Sequence, residues 1–225
     1  MSKHVVIVGG GNLASGLSNM FSIYNDESKY TMSVYEPVVD NVSRISGSSH
    51  HDMSNSFRGF KTIIVESDAA TLTSADIIII AIPASAIKAF VRSNLDILKD
   101  SIIVDCSNPG RNDDDLRAVL EELGAAANVS WVKGFNDNGA IELINHKITS
   151  KKSVTTQICG PDDTVVAEVK RLAEVAMGFA VKIVPFSQYD AVAMNQNDLG
   201  KTWVHAAGIM MLVFSFATLF SIVRD

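Results

Sequence analysis

The N-terminal segment constrains this chain more than any other. Val5-Val6-Ile7-Val8 is an unbroken β-branched run. Apolarity at every position, rather than every second one, marks a strand buried on both faces, and such strands belong to parallel sheets covered by helices. The run passes straight into Gly9-Gly10-Gly11-Asn12-Leu13-Ala14, which fits G-x-G-x-x-A and opens a helical pattern. In that arrangement Gly9 permits the tight turn and Gly11 lets the backbone approach a pyrophosphate. Ala14 keeps the helix close to the sheet. The anion would rest on the amides at the helix start. Gly9, Gly10, Gly11, Asn12, Leu13 and Ala14 are therefore candidate cofactor-binding residues, and the expected ligand is NAD(H) or NADP(H).

Further strands are predicted at Thr31 to Glu36, Thr62 to Val65, Asp76 to Ile82, Ser101 to Cys106 and Ser130 to Phe135. Helical spacing appears between and after them. Leu116, Val119, Leu120 and Leu123 follow the acidic cluster Asp113-Asp114-Asp115, and Val165, Val169, Leu172 and Val175 follow Asp162-Asp163-Thr164. Acids at the head of a helix complement its dipole. Strands alternating with helices predict an α/β fold of Rossmann type, doubly wound around a mostly parallel sheet.

Residues 206–223 carry no charge. As a helix they would extend about 27 Å, near the thickness of a bilayer core. Trp203 and His205 before them and Arg224-Asp225 after them resemble interfacial flanks. A buried or dimerisation helix is the other reading of the same stretch. The expected organisation is an oxidoreductase domain over 1–190, a linker over 191–204 and a candidate transmembrane helix over 205–225. Association with a membrane is then expected, with the orientation undecided by the flanking charges Lys201 and Arg224. A homo-oligomer is also compatible.

Composition narrows the function classes. Nineteen Lys+Arg against twenty-five Asp+Glu give a net charge of -6, unlike a dedicated nucleic-acid binder. Cys106 and Cys159 form no CxxC pair, so neither a disulfide scaffold nor a cysteine-rich zinc site is expected. Cys106 reads as a packed core thiol. His50-His51 lies in a serine-rich loop and reads as exposed, and Met210-Met211 reads as apolar helix filler. No metal site and no catalytic acid, base or nucleophile is assigned. That suits hydride transfer, where a cofactor carries the chemistry and the protein supplies placement.

Other strand ends should frame the same cleft, because ligands of open α/β sheets bind beyond the carboxyl ends of the strands. Glu36 could accept hydrogen bonds from an adenosine ribose, or be a solvated strand-end acid. A carboxylate there favours NAD and a nearby arginine favours NADP; Arg44 is the nearest, so the preference stays open. Ala81, Ile82, Pro83 and Ala84 could line the nicotinamide half with backbone. Asn108 could hold a ribose or carboxamide, or serve as a turn residue before Pro109.

Several motifs occur in order: Gly9 to Ala14, Ala81-Ile82-Pro83, Val104-Asp105-Cys106-Ser107-Asn108-Pro109, Val132-Lys133-Gly134-Phe135-Asn136, Ile158-Cys159-Gly160-Pro161-Asp162 and Ala176-Met177-Gly178-Phe179. Over about residues 4 to 185 the chain resembles the deazaflavin-dependent NADP oxidoreductases and the cytoplasmic oxidoreductase domain of the STEAP metalloreductases. Thr202-Trp203 and the apolar segment after it resemble the first membrane helix of the latter. The resemblance implies a membrane-associated protein whose catalytic domain lies in the cytoplasm, oxidises NADPH and reduces a flavin (FAD), feeding ferric or cupric ions as small-molecule acceptors. It places the nucleotide near Gly9 to Leu13, Ala81 to Ala84, Asn108 and Ala140, and the flavin near Asn136, Ile141 and Asp162. Haem would belong only to a membrane part beyond Asp225. Two departures stand out. Tyr35-Glu36-Pro37 replaces the Ser-Arg pair common in the family, and Ile141 replaces an aromatic residue. A pyrroline-carboxylate-reductase-like dehydrogenase and a non-catalytic nucleotide-sensing module remain the alternatives.

Overall fold

The computed structural model describes residues 2–25, 29–36, 63–66, 68–109, 115–124, 128–149, 153–190 and 192. Eight strands form one sheet: β1 (Lys3–Val8), β2 (Tyr30–Tyr35), β3 (Ile63–Glu66), β4 (Ile77–Ile80), β5 (Ile102–Asp105), β6 (Ser130–Gly134), β7 (Thr155–Cys159) and β8 (Ala180–Ile183). Their order is β3-β2-β1-β4-β5-β6-β7-β8. All neighbours from β3 through β6 pair in parallel. β7 then turns antiparallel to β6, and β8 pairs parallel with β7. The chain winds outward from β1 to β3, then crosses back to place β4 on the other side of β1. The resulting switch point, between β1 and β4, is where such sheets open a ligand crevice.

The described helices are α1 (Asn12–Tyr24), α2 (Ala70–Thr73), α3 (Ala84–Leu98), α4 (Leu116–Leu123), α5 (Ala140–Ile144) and α6 (Asp163–Ala176), with a short 3-10 turn at Phe186–Gln188. The continuous apolar runs are explained by two cores, one on each side of the sheet. Val5 and Ile7 of β1, with Ile77 and Ile79 of β4, face Leu17, Met20 and Phe21 of α1 and Val169 and Leu172 of α6. Val6, Val8, Ile78 and Ile80 point the other way, toward Ile87 and Val91 of α3 and Val119 of α4. All four isoleucines of β4 are fully buried, each worth roughly 1.5–3 kcal/mol of transfer free energy. Successive side chains alternate between the faces, so both cores draw on the same strands.

Asp115 caps α4 by accepting from the Ala118 amide at 2.8 Å, as its place in the acidic cluster predicts. Asp162 caps α6 through the amides of Thr164 and Val165.

The expected membrane association is not borne out. Among the described residues no helix is long and apolar enough to cross a membrane. The longest, α3, has 15 residues, carries Lys88, Arg92 and Asp96, and spends its apolar side (Ile87, Val91, Leu98) on the sheet. The segment 206–223, on which the expectation rested, lies outside the described residues.

Candidate functional site

The site begins at the turn between β1 and α1. Gly9 has φ +107°, a conformation that side chains disfavour. A Cβ on it would come within 2.9 Å of the Ala81 carbonyl oxygen and 3.0 Å of Ile82 Cγ2. The turn is therefore pressed against the end of β4, where the Ala81 amide donates to the Val8 carbonyl at 3.0 Å. Gly11 differs. Among the described residues a Cβ there would meet no atom within 4 Å, so they leave open space above the turn. Gly11 and Asn12 are exposed, while Ala14 is buried under the helix.

Helices α1 and α3 leave the two strands that flank the switch point. Gly11 heads α1 and Pro83 heads α3, and neither start carries a side-chain cap or an acidic residue in its first turn. By contrast α4 and α6 are capped by aspartates. Uncapped first-turn amides next to open space suit an anionic ligand. The residues thus fit a dinucleotide pyrophosphate, with Gly11, Asn12 and Leu13 as its seat and Ala81 to Ala84 as the adjoining wall.

Glu36 follows β2. It is 7% exposed, and its Oε2 accepts from the Gly10 amide at 2.7 Å. Its carboxylate is thereby fixed beside the glycine turn, on the β2 side, where an adenosine ribose would lie.

On the other side of the crevice stand the ends of β5 and β6. Asn108 and Asn136 pair here. Asn108 Nδ2 donates to the Asn136 carbonyl at 3.3 Å, and Asn136 Nδ2 donates to Asn108 Oδ1 at 3.2 Å and to the Val192 carbonyl at 3.0 Å. Asn108 is exposed and Asn136 is buried. Phe135, just before Asn136, has φ +60°, at a cost on the order of 1–2 kcal/mol for a non-glycine residue. Its amide donates to Thr156 Oγ1 at 3.1 Å, and Thr156 Oγ1 in turn donates to Asp137 Oδ1 at 2.8 Å. This clamp holds the turn that returns Asn136 toward Asn108.

The sequence reading missed the charged pair beneath these asparagines. Asp105 and Lys133 are register partners on β5 and β6, both fully buried, with Nζ 3.0 Å from Oδ2. The available signal was a charge at the end of each of two buried runs. Gly16 was missed as well. A Cβ on Gly16 would lie 2.6 Å from Leu143 Cβ, so this glycine lets α5 pack directly on α1.

Of the expected flavin contacts, Asn136 and Asp162 follow opposite ends of β6. β7 is antiparallel, with Cys159 beside Lys133 and Ile158 beside Gly134. The chain after β7 therefore runs toward the amino end of β6, and Asp162 lies there as the cap of α6, away from Asn136. Ile141 is half-exposed on α5, and Ala140 opens that helix.

Cys106 and Cys159 are both buried and free. Burial pushes the Cys106 thiol well above its ordinary value, with the Asp105 carboxylate adding to the effect. Burial also raises Cys159 to about 11, against a smaller lowering by Lys133. Because the thiolate is the reactive form, neither thiol should react with iodoacetamide at mildly alkaline pH in the folded chain, and both should react in denaturant. Rapid native labelling followed by mass spectrometry would contradict this placement.

Residues 4–109 match the family model described as NADP oxidoreductase, coenzyme F420-dependent. This match covers β1 through the Asn108 turn. No curated protein sequence matches the chain. Among solved structures, a protein provisionally named an F420-dependent NADP-reductase, from Arthrobacter sp. FB24, superposes with a TM-score of 0.64 at 14% identity, covering 92% of this chain and 94% of that one. An imine reductase from Myxococcus stipitatus in complex with NADP+ gives 0.61 at 12% identity, covering 92% of this chain and 63% of that one. A glycerol-3-phosphate dehydrogenase from Coxiella burnetii gives 0.61 at 13%, covering 82% and 54%. The chain thus spans about three fifths of the imine reductase. At these identities the likeness establishes the fold, and it is the fold of NAD(P)-dependent oxidoreductases.

Proposed function

We propose that this chain is an NAD(P)H-dependent oxidoreductase whose hydride acceptor is a flavin or deazaflavin, with ferric or cupric ions as further acceptors of the reduced flavin's electrons. The observation that carries the dinucleotide part is the glycine turn. Gly9 is forced against β4, while Gly11, among the described residues, opens onto empty space at an uncapped helix start. Gly11 and the first α1 amides bind the pyrophosphate. Glu36 accepts from the adenosine ribose. The ends of β4 and β5, with Ile82 and Asn108, then border the nicotinamide half. When bound, a reduced nicotinamide supplies the hydride. The chain's own residues orient the ring, and Ile82 and its neighbours exclude water from one side.

The flavin-type acceptor is supported by the description of the matching family and by the chemistry at the strand ends. The described charged groups there include Asp105 and Lys133, locked on each other, Glu36, held on Gly10, and Asp137, held by the Thr156 hydroxyl and the Gln157 amide. Hydride transfer between two rings needs placement rather than a mobile acid or base.

The test is oxidation of NADH and NADPH with FAD, a deazaflavin, ferric citrate with FAD, or a cyclic imine as acceptor. Turnover with the flavins supports the proposal. Turnover with the imine alone supports an imine-reductase activity instead. Tight nucleotide binding without turnover on any acceptor makes the chain a binding module.

Glu36 also predicts how the cofactors are told apart. Its fixed carboxylate would lie near the group that differs between them, and a carboxylate repels a 2′-phosphate. Glu36→Gln is expected to shift the NADH-to-NADPH affinity ratio toward NADPH by about tenfold, a difference of about 1.4 kcal/mol. Titration of both cofactors by fluorescence checks it. An unchanged ratio would remove Glu36 from the ribose site.

A further inference from the structure

The Lys133 ammonium is fully buried and spends its hydrogens on one short stretch of chain. It donates to Asp105 Oδ2 at 3.0 Å, to the Ser107 carbonyl, and to Ser107 Oγ at 3.3 Å. Asp105 Oδ1 accepts from the Ser107 amide at 2.8 Å. The two charges therefore cross-brace both peptide faces of Ser107, the residue before Asn108. Buried ion pairs are weak sources of stability, because desolvation offsets their attraction, and an apolar pair often does as well. This one sits at the carboxyl edge of the sheet, under the only described turn that carries the Asn108–Asn136 pair. Asn136 keeps its amide orientation by donating to Asn108 and Val192. Its Oδ1 is buried, and among the described residues nothing donates to it. A buried acceptor in that state has room for a donor beyond the described residues, and the N–H of a carboxamide is one that fits.

We infer that Lys133 is a positioning residue: through Asp105 and Ser107 it fixes Asn108 and Asn136 as the holder of the nicotinamide half. This rests on the dinucleotide reading above. It goes beyond that reading by assigning a buried lysine and an unsatisfied amide to one end of the ligand. Lys133 touches no ligand itself. It sets the place of residues that do.

The adenosine half and the nicotinamide half can be separated by ligand. ADP-ribose carries the adenine, both riboses and the pyrophosphate, but no nicotinamide ring. The double variant Asp105→Asn/Lys133→Met removes both charges together, so no unpaired ion is buried, and it leaves an acceptor for the Ser107 amide. Its fold is checked by circular dichroism and thermal unfolding. In calorimetric titrations the wild-type chain is expected to bind both ligands. The double variant is expected to keep ADP-ribose affinity within about twofold and to lose about tenfold for NADH. Asn136→Ala, which removes the unsatisfied acceptor and leaves the brace, is expected to show the same selective loss. If the folded double variant binds NADH as the wild type does, or loses both ligands equally, the positioning role is overturned. If the wild type binds neither ligand, it is the dinucleotide reading that has failed. Should the double variant not fold, Asn136→Ala decides the question alone: equal effects on the two ligands would overturn the assignment of this corner to the nicotinamide.

Discussion

Lys133→Met alone should destabilise the chain by about 3–5 kcal/mol, the usual cost of leaving one member of a buried ion pair without its partner. The reason is local. Asp105 is fully buried, and methionine cannot replace the Nζ contact at 3.0 Å. The Ser107 carbonyl and hydroxyl lose their donor in the same step. For a domain whose net stability is typically about 5–15 kcal/mol, that is a large share. The double variant Asp105→Asn/Lys133→Met should recover most of the loss, because two neutral groups of similar size carry no such desolvation cost. Urea unfolding of the three chains gives the comparison. A single variant as stable as the wild type would mean that the pair is not buried as described.

Gly9→Ala should cost about 3 kcal/mol, combining an unfavourable backbone conformation with overpacking. At φ +107° an alanine is strained whatever its surroundings, and its methyl would press on the Ala81 carbonyl oxygen and Ile82 Cγ2. Neither neighbour can yield easily: Ala81 is tied to Val8 by a backbone hydrogen bond, and the strand before it is fully buried. The turn and the end of β4 would separate, and nucleotide binding should fall with stability. A Gly9→Ala chain with wild-type unfolding and binding would show that the turn does not need glycine.

Among the first six strands β1 and β4 were the most legible, because apolar runs buried on both faces leave no other pattern, while β2 and β6 carry polar residues within them. Their parallel direction followed from the helical stretches between them. β7 and β8 were not legible in the same way. Thr155–Cys159 alternates in burial and mixes polar with apolar residues, while Ala180–Ile183 is largely exposed. Nothing in either fixes strand direction. That direction carried Asp162 away from Asn136, although the same aspartate was correctly read as heading a helix. Asp105 and Lys133 illustrate a second limit. Each, taken alone, is a charge at a strand end, and only the register of β5 on β6 makes them partners. Glu36 was legible as an acid at the end of the strand that follows the glycine turn and its helix. Its bond to Gly10 is a detail that spacing does not contain.

The central claim is that the turn after β1 seats a dinucleotide. Gly11→Ala isolates it, because Gly11 has ordinary backbone angles and its Cβ would meet no atom of the described residues within 4 Å. Such a substitution should leave stability within about 0.5 kcal/mol, while its methyl occupies the space reserved for the pyrophosphate. The decisive measurement is calorimetric titration of NADH and NADPH into wild-type and Gly11→Ala chains with matched unfolding curves. The account predicts binding of at least one cofactor to the wild type and a loss of tenfold or more (about 1.4 kcal/mol) in the variant. No binding to the folded wild type, or equal binding to both chains, would contradict it.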